Sequence, residues 1–391
     1  MARTVSVGID IGTYHIKVMV LENATQNGKP APKILGTGFA ESKGLRHGYI
    51  MNKAENVAAL TKAVRQAEKM SGMKIRRAIV SVGGIGLSSF ASTGATMISR
   101  ADLEITDLDV EKVASTSQNE IPPAHSQNRK IIHRIPIQYK IDGKTIVGLR
   151  PSGMKGTKLE VKTLFITCLE QHLDDLVDVV EEAGIEVLDI VASPIAASLV
   201  TLTKTQKIAG AVLANIGAET VSIVVYENDI PISLEVFPLG SNDITNDIAL
   251  GLKVPLEDAE QIKKGSLIGA EYSKRKLEEI VTARLSDIFD LIDAHLKKIG
   301  RNGLLPAGII ITGGGSRLAT LEDLAKAALN LPSRIATLSF GGNIRDLGDS
   351  VWSVVYGLCL LGLSEEESPF GATLVHHTKN KAIEWIKQFL P

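Results

Sequence analysis

The sequence predicts an α/β protein built from two related halves that face each other across a cleft. Residues 7–22 (VGIDIGTYHIKVMVLE) alternate apolar with smaller or polar side chains on both sides of a glycine turn, the pattern of a two-stranded hairpin. Residues 212–227 (VLANIGAETVSIVVYE) align on them without a gap, at an offset of 205 positions (215 − 10) that places Asn215 on Asp10. The recurrence indicates one such hairpin at the start of each half.

The composition argues against several classes of protein. A chain of 391 residues is too long for one compact core, so two or more domains are expected. The net charge of −1 gives no indication of a nucleic-acid partner. The two cysteines, Cys168 and Cys359, lie far apart and outside any C-x-x-C pattern. This argues against a disulfide framework or a cysteine zinc site and favours a reducing cytoplasm.

Two features bear on membranes. A strand is predicted almost at the N-terminus, which argues against a signal peptide. The most apolar run, residues 353–363, has about half of the roughly 20 residues that a membrane-spanning helix needs. Any membrane contact is therefore expected to be peripheral.

The first half continues from its hairpin in a ββ-β-α-β order. Residues 52–70 place Val57, Leu60 and Val64 on one face, which predicts an amphipathic helix. The other elements of this half are predicted as strands at 34–39, 75–82, 159–167 and 187–191, a helix at 171–183 closed by Gly184, and a helix that begins at Ser193-Pro194.

Residues 83–161 interrupt the first half with short strands and links rich in Gly, Ser and Thr. A helix is predicted at 107–118, with Asp107 as its N-cap. Strands at 131–141 and 144–149 flank Asp142-Gly143, a strong signal for a type I′ hairpin. The segment is predicted to be a small inserted α+β domain.

The second half repeats the plan of the first from residue 211 onward. Its strand at 304–312 ends in three consecutive glycines. Helices are predicted at 241–250, 256–264, 273–299, 318–329 and 349–363, followed by a linker at 364–378 and a short C-terminal helix.

Several motifs resemble those of the actin, sugar-kinase and Hsp70 ATPase superfamily. GIDIGTYHIKV and NIGAETVSIVVY resemble its two phosphate loops, and VASPIAASLV and DSVWSVVYGLCLLGL its connecting segments. IIITGGGSRL resembles its adenosine loop. Within the superfamily, HRIPIQYKIDG and VGLRPSGMKGTKLEVK are similar to the insert of the FtsA family of bacterial cell-division proteins.

The resemblance implies an actin-like fold and a function. It implies an ATP-binding actin homologue that forms filaments and tethers the tubulin-like division protein FtsZ to the cytoplasmic side of the bacterial membrane at the division site. The implied domains are 1A (1–82 and 162–195), 1C (83–161), 2A (196–250 and 301–363), 2B (251–300), a linker (364–378) and a membrane-targeting helix (379–391).

The first hairpin supplies candidate ligands for Mg-ATP. Asp10, at the end of its strand, is the candidate for Mg²⁺, held through water, because Mg²⁺ in proteins is usually bound by one or two carboxylates and phosphate oxygens. Gly12, Thr13 and Tyr14 are predicted to offer backbone N–H groups to the phosphates. Lys17 is either a phosphate ligand or a solvent-facing strand residue.

The second half is predicted to complete the nucleotide site. Gly217, Ala218 and Glu219 would form a second phosphate clasp beside Asn215, and Gly240 would open a helix whose amides face the nucleotide. The family resemblance assigns Glu260 and Lys263 to the ribose and base, although the pair also suits an ordinary solvated helix face. The last candidates, for ribose and α-phosphate, are Gly313, Gly314, Gly315 and Ser316.

Two departures from the superfamily leave turnover open. Asn215 stands where the second phosphate loop commonly has Asp, and Ser193 stands where chaperone-type relatives have Glu. An amide cannot act as a general base and a hydroxyl is a poor one, so weak hydrolysis is expected. The alternatives are a turning-over Hsp70-type ATPase and a relative of the actin-like pilus-assembly protein PilM. His376-His377 suggests no metal site, because no carboxylates accompany it at ligand spacing.

The C-terminal residues 379–391 are predicted to form an amphipathic helix on an anionic membrane surface. At about 100° per residue, one arc is apolar and the other is polar. The residues that would touch lipid are Ile383, Trp385, Ile386, Phe389 and Leu390, with Lys381 and Lys387 adding positive charge. The alternative is a final helix packed on the body. The insert is expected to contact neighbouring copies or other division proteins.

Overall fold

The computed structural model describes residues 5–26, 29–30, 32–148, 150–266, 272–318, 320–338 and 350–366. The strands are β1 (Val5–Ile11), β2 (His15–Glu22), β3 (Thr25–Gln26), β4 (Lys29–Pro30), β5 (Lys33–Glu41), β6 (Leu45–Arg46), β7 (Tyr49–Ile50), β8 (Arg77–Val82), β9 (Leu87–Met97), β10 (Arg129–Ile141), β11 (Lys144–Thr145), β12 (Lys158–Leu169), β13 (Glu186–Ala192), β14 (Ala211–Ile216), β15 (Val221–Glu227), β16 (Ile230–Phe237), β17 (Gly308–Thr312) and β18 (Ser333–Ile335).

The helices alternate with these strands along the chain. They are α1 (Lys53–Ser71), α2 (Asp107–Asn119), α3 (Pro123–Ser126), α4 (Glu170–Glu182), α5 (Ser193–Thr201), α6 (Lys204–Ala209), α7 (Ser241–Leu252), α8 (Leu256–Lys263), α9 (Lys274–Lys298), α10 (Leu321–Leu329) and α11 (Ser353–Glu366), with 3₁₀ turns at Gly314–Arg317 and Ser350–Trp352.

The two halves have the same sheet topology. The first sheet has the order β5-β2-β1-β8-β13 and the second the order β16-β15-β14-β17-β18. In each, the first three strands are antiparallel and the last two join in parallel. The predicted α/β fold with two related halves is therefore confirmed, and the aligned hairpins are β1-β2 and β14-β15.

Helices cover both faces of the first sheet. Helix α1 packs on β5 and β2, where a Cβ added to Gly38 would lie 1.9 Å from the Ala63 carbonyl oxygen. Helix α11 packs on the opposite face, against β1 and α5. A Cβ at Gly357 would lie 1.9 Å from the Ala196 carbonyl oxygen, so glycine allows α11 and α5 to cross in close contact.

Helix α11 also corrects one predicted boundary. It continues to Glu366, so the first three residues of the predicted linker, 364–366, are helical. The predicted C-terminal helix at 379–391 lies outside the described residues. Among the described residues, no helix combines the length and apolar character needed to cross a bilayer.

The insert is an antiparallel sheet, β11-β10-β12-β9, with α2 packed on one face. Asp142 and Gly143 have φ angles of +49° and +79°, as a type I′ turn requires, but the strand that follows ends at Thr145 rather than at 149. The predicted N-cap Asp107 is wrong. Thr106 caps α2, and its N–H and hydroxyl both donate to the Asp109 carboxylate, at 2.9 and 2.7 Å.

The insert contacts both halves. The Ala192 N–H donates to His133 Nε2 at 3.0 Å, which joins β10 to the first half. The Ser89 hydroxyl accepts the Leu234 N–H at 2.8 Å and donates to the Leu234 carbonyl at 2.7 Å, which joins β9 to β16 of the second half. Strand β12 continues past the predicted domain boundary at 161 to Leu169.

Candidate functional site

A cavity of about 580 Å³ lies between the two halves, at the ends of both hairpins. Its volume is within the range of pockets that bind small molecules and cofactors. Both halves contribute to its lining, as the repeated hairpins predict. The predicted site residues that line it are Asp10, Gly12, Thr13, Tyr14, Lys17, Asn215, Gly217, Ala218, Glu260, Lys263, Gly313, Gly314 and Gly315.

Asp10 is held from two sides at the end of β1. The Ser81 hydroxyl, on the neighbouring parallel strand, donates to Oδ1 at 2.7 Å. Lys17 Nζ, directly opposite on β2, lies 3.3 Å from Oδ2. Only 15% of the Lys17 side chain is exposed, so the structure places it inside the cleft and not on a solvent-facing strand surface.

The second hairpin has the same geometry without the charges. Asn215 is opposite Ser222 on β15 and beside Thr312 on β17, the positions that correspond to Lys17 and Ser81. A neutral amide and a hydroxyl therefore replace the ion pair of the first half.

The glycine amides of both hairpins are used inside their own turns. The Gly12 N–H donates to the His15 carbonyl at 3.2 Å, and the Gly217 N–H donates to the Thr220 carbonyl at 2.9 Å. The prediction that Gly12 offers its N–H to a phosphate is therefore wrong for this conformation. The candidate backbone donors of the first loop reduce to Thr13 and Tyr14.

The backbone N–H groups at the start of α7 are also hydrogen-bonded within the protein. The Ser241 and Asn242 N–H groups donate to the carbonyls of Gly217 and Ala218 at 2.9 and 2.8 Å, and the Gly240 N–H donates to the Asp243 carboxylate at 2.8 Å. The prediction that the amides at this helix end face the nucleotide is therefore wrong for this conformation. Gly240 instead allows a close contact, since a Cβ there would lie 2.4 Å from the Ala218 carbonyl oxygen.

Glu219 turns away from the main cavity. Its carboxylate accepts the His47 N–H at 2.5 Å, and its carbonyl lies 3.1 Å from His47 Nδ1. It lines a second depression of about 500 Å³, beside Arg46 and Tyr14. Glu219 therefore joins the two halves below the cleft and does not complete the predicted phosphate clasp.

Glu260 and Lys263 form a buried network between α7 and α8. Lys263 Nζ lies 2.7 Å from the Glu260 carboxylate and donates to the Thr245 hydroxyl at 2.7 Å and the Ser241 carbonyl at 3.0 Å. Burial lowers the pKa of Lys263 although Glu260 opposes the shift. Burial alone would raise the pKa of Glu260, but hydrogen bonds from Lys263 and Thr245 outweigh it and the pKa is lowered. The pair is not an ordinary solvated helix face.

The mouth of the cavity is bridged between the halves. Lys264 Nζ lies 3.1 Å from the Glu260 carboxylate and 5.9 Å from the centre of the Tyr14 ring. Tyr14 belongs to the first hairpin and Lys264 follows α8, so this contact spans the opening.

The glycine triplet follows β17 and passes close to the second hairpin. Gly313 has a φ of +91°, and a Cβ there would lie 2.4 Å from Asn215 Oδ1, so this position requires glycine. Ser316 is 1% exposed and its hydroxyl donates to the Gly313 carbonyl at 2.7 Å. Ser316 thus stabilises the glycine loop through this hydrogen bond and does not line the cavity.

Comparison with known proteins decides the family. Two family models match the sequence, "Cell division protein FtsA" over residues 212–357 and "SHS2 domain inserted in FTSA" over residues 84–167. A Bacillus subtilis cell division protein FtsA is 33% identical, with 87% of this chain and 80% of that protein covered. A Pseudomonas aeruginosa FtsA is 30% identical, with 92% and 89% covered. The chain belongs to the FtsA family.

Solved structures agree with an actin-like fold for this FtsA-family chain. The PilM–PilN type IV pilus biogenesis complex superposes with a TM-score of 0.68 at 16% identity, covering 92% of this chain and 98% of that one. MreB5 of Spiroplasma citri, bound to ADP, superposes with a TM-score of 0.52 at 13% identity, covering 93% and 99%. At these identities the likeness establishes the fold alone.

Some cavity residues of this FtsA-family chain were not predicted. Ser81 reaches Asp10 only because β8 pairs with β1, 71 positions later in the sequence. His172 comes from α4, where burial lowers its pKa and its Nε2 lies 3.0 Å from the Gly83 carbonyl. At the end of β8, Ser81 is followed by Val82 and two glycines, much as Thr312 is followed by three glycines at the end of β17. This similarity is the signal in the sequence that could have identified Ser81. The other unpredicted residues include Asn242, Lys264 and Ser353.

Proposed function

We propose that this protein is an ATP-binding FtsA that assembles into filaments and tethers an FtsZ-like tubulin homologue to the cytoplasmic face of the membrane at the division site. The observation that carries the nucleotide part is the cleft between the two equivalent hairpins. There the Asp10–Lys17 pair and the Glu260–Lys263 pair lie in one cavity. The family supplies the cell-division context.

The cleft residues fit Mg-ATP. Among the described residues no cluster of three ligating side chains could hold a metal ion by itself. Mg²⁺ does not need one, because it keeps several waters and binds through one or two carboxylates and the phosphates. Asp10 would hold the hydrated ion, which would free Lys17 for a phosphate oxygen. The MreB5 structures bound to ADP and AMPPNP support nucleotide binding in a protein of the same fold.

The far end of the cavity suits the nucleoside. Glu260 presents a carboxylate that accepts hydrogen bonds, as ribose hydroxyls require, and Lys263 lies beside it. Gly313, Gly314 and Gly315 let the backbone approach the sugar and α-phosphate closely. Nucleotide binding by these residues would hold both halves in one relative position.

Turnover is expected to be slow. Asn215 and Ser193 both line the cavity, and neither is a general base. Nucleotide state would then act mainly on assembly. The inserted domain offers an antiparallel sheet apart from the cleft, and we assign it to contacts with neighbouring copies or other division proteins.

The membrane part rests on the amphipathic pattern of residues 379–391, which lie outside the described part of the chain. A short amphipathic helix binds reversibly, so a filament that presents many copies would supply the avidity. The PilM–PilN structure shares the fold, and a PilM-like pilus protein remains the alternative. The two functions differ in whether the tail binds lipid.

Co-sedimentation with anionic vesicles, with and without Mg-ATP, tests the proposal. Truncation after Thr378 or Trp385→Glu is expected to abolish vesicle binding while thermal unfolding of the body is unchanged. Gln388→Glu adds the same charge on the polar arc and is the matched control, with binding reduced far less. Unchanged vesicle binding by the truncated chain would favour the PilM-like alternative and place any membrane contact elsewhere.

A further inference from the structure

The outer face of α1 carries a row of exposed cations. Lys62, Arg65 and Lys69 follow one another at spacings of three and four residues, so they form one stripe about 10 Å long. An open depression of about 530 Å³ lies over this stripe, and every residue that lines it belongs to α1. The surface is therefore open and has no walls from a second element.

These cations are not compensated. Within the described part of the chain, no ion pair or side-chain hydrogen bond involves Lys62, Arg65 or Lys69. The nearby Glu68 turns toward the loop that follows the helix, where it accepts from Lys74 Nζ at 3.1 Å and from the Ile75 N–H at 2.9 Å. No carboxylate therefore stands among the three charges.

Other lysines on the same side of the first half are paired. Lys53 lies 3.1 Å from Asp178 and 3.2 Å from Glu182, and hydrogen bonds to these two carboxylates raise the pKa of Lys53. Lys130 lies between Glu170 and Asp174 of the same helix α4, at 3.4 and 2.6 Å. Lys62, Arg65 and Lys69 differ from these paired lysines, and Arg76, just beyond α1, likewise has no ion pair among the described residues.

The last part of α1 lies toward the same end of the first sheet as the end of α11. The loop after α1 leads directly into β8, which begins at Arg77. Near the end of α11, a Cβ added to Gly362 would lie 2.9 Å from Ile79 of that strand. Gly362 also lies beside Ser6 of β1, and Gly36 of β5 lies beside Ser71 at the end of α1. Helix α11, which ends at Glu366, and helix α1 therefore end toward the same end of the first sheet, on opposite faces.

We propose that Lys62, Arg65, Lys69 and Arg76, here called the cationic patch, contact anionic lipid headgroups and hold the first half against the bilayer. The proposal rests on the proposed membrane function of the tail. Long, flexible, unpaired cations on a flat surface suit a plane of mobile negative charges, whereas a peptide ligand would need a groove with directed hydrogen bonds. The patch and the tail would be two weak membrane signals that act together.

The tail is needed to bring the patch within range. Electrostatic attraction to the surface falls off within a Debye length, about 8 Å at physiological salt. The predicted linker after Glu366 spans at most about 40 Å when fully extended, since a residue covers at most ~3.5 Å. A tail bound to the same bilayer keeps the body within this reach of the surface. Attraction of the patch would then favour the orientation in which α1 faces the headgroups.

Co-sedimentation of the full chain with phosphatidylglycerol-containing vesicles tests the patch. Lys62→Glu/Arg65→Glu/Lys69→Glu is expected to weaken binding by roughly 100-fold or more, because each cation near an anionic surface contributes about 1 kcal/mol and each new carboxylate is repelled. Lys274→Glu/Arg275→Glu/Lys276→Glu at the start of α9 changes the net charge equally and is expected to retain most of the binding. Lys62→Gln/Arg65→Gln/Lys69→Gln should give a smaller loss in the same direction and guards against misfolding of the first variant.

The outcomes separate this inference from the proposed function. If the wild type binds vesicles, loses binding on truncation after Thr378 and keeps it after charge reversal on α1, the tail is an anchor and the patch inference is wrong. Equal losses for the α1 and α9 variants would also overturn it, since they would show an effect of net charge alone. If the wild type binds no vesicles, the proposed membrane function falls, and the inference falls with it.

Discussion

Asp10 and Lys17 face each other across the first two strands, with their charged groups 3.3 Å apart inside the cleft. The pair compensates itself while no ligand is bound. Binding of Mg-ATP would replace the Asp10–Lys17 contact by two others. Asp10 would then contact the water shell of the metal, and Lys17 a phosphate oxygen. This arrangement would couple metal binding to phosphate binding, because each ligand would release the residue that the other needs.

Asp10→Ala is expected to weaken Mg-ATP binding by roughly 10- to 100-fold, the range seen when an outer-shell partner of a metal is removed. In the absence of Mg²⁺ the same variant should lose far less, since Lys17 is then free of its carboxylate. Calorimetry with and without Mg²⁺ measures both. Asp178→Ala on α4 removes an exposed carboxylate that does not line the cleft, and it is the control. Wild-type affinity for Mg-ATP in the Asp10 variant would show that the site is assigned wrongly.

The topology could be predicted from the sequence, because it depends on a local pattern that occurs twice. The hairpin around Asp10 recurs around Asn215, and both generate sheets of the same order. The candidate residues of the two hairpins followed from the same alignment, whereas Glu260 and Lys263 were assigned by the family resemblance.

The roles of individual backbone donors could not be predicted in this way. Whether the amides at Ser241 are free depends on whether the loop at Gly217 folds back onto them, which is a contact between segments 24 residues apart. The direction of Glu219 likewise depends on His47, which is 172 positions away in the first half. Sequence periodicity carries no information about either contact.

The insert was predicted as a separate domain, but one face of it belongs to the core of the first half. Leu164, Ile166 and Cys168 of β12 are buried in the same cluster as Ile79 and Val80. A change in residue composition and element length marks where the insert begins in the sequence. Apolar residues of a strand, however, do not indicate which other sheet they will pack against.

Gly240→Ala is expected to disturb the second hairpin. The new Cβ would lie 2.4 to 2.6 Å from backbone atoms of Ala218 and Glu219, which cannot move without shifting the loop. Overpacking of this kind destabilises by about 1–3 kcal/mol, and nucleotide affinity should fall as well. Denaturation and calorimetry measure the two effects.

Gly300→Ala is the matched control for this change. Gly300 has a φ of +68° and nothing within 4 Å of an added Cβ, so alanine there adds backbone strain at a residue that does not line the cleft. It should lower stability and leave nucleotide affinity as it is. If Gly240→Ala loses stability alone, as this control does, the contact with the hairpin does not shape the site.

Turnover of the wild type is expected to be slower than about 1 s⁻¹, at the low end of ordinary enzymes. Asn215 occupies the position equivalent to Asp10, and an amide there cannot accept a proton from water. Because general-base help contributes about 10²–10⁴ in rate, Asn215→Asp should raise steady phosphate release at least tenfold. Asn215→Ser, which restores no base, should not. A wild type that already releases phosphate well above this limit would contradict the prediction.

His133 should make stability depend on pH. It is 7% exposed in β10, and its Nε2 accepts the Ala192 N–H, so the ring is held neutral where the insert meets the first half. Burial lowers the pKa of His133 to about 4, below the ordinary value of 6.5. The unfolded chain therefore takes up a proton as the pH falls below 6.5, while the folded chain does not until about 4. Stability is full above pH 6.5 and is lost progressively between these two values.

From pH 7.5 to pH 5 the loss from His133 is roughly 2 kcal/mol, given a shift of about 2.5 pKa units. His133→Gln keeps a hydrogen-bond acceptor for the Ala192 N–H without a titrating ring, so this variant should lose about that much less stability over the interval. His295 offers a second case, because burial, helped by Lys298, lowers its pKa to about 4 as well. Urea denaturation at the two pH values measures the free energy of unfolding and its change with pH. A variant with Gln at both His133 and His295 should reduce this pH dependence about twice as much as His133→Gln alone. If His133→Gln retains the full pH dependence of the wild type, the folded ring takes up a proton as readily as the unfolded one, and it does not hold the insert in the way its geometry indicates.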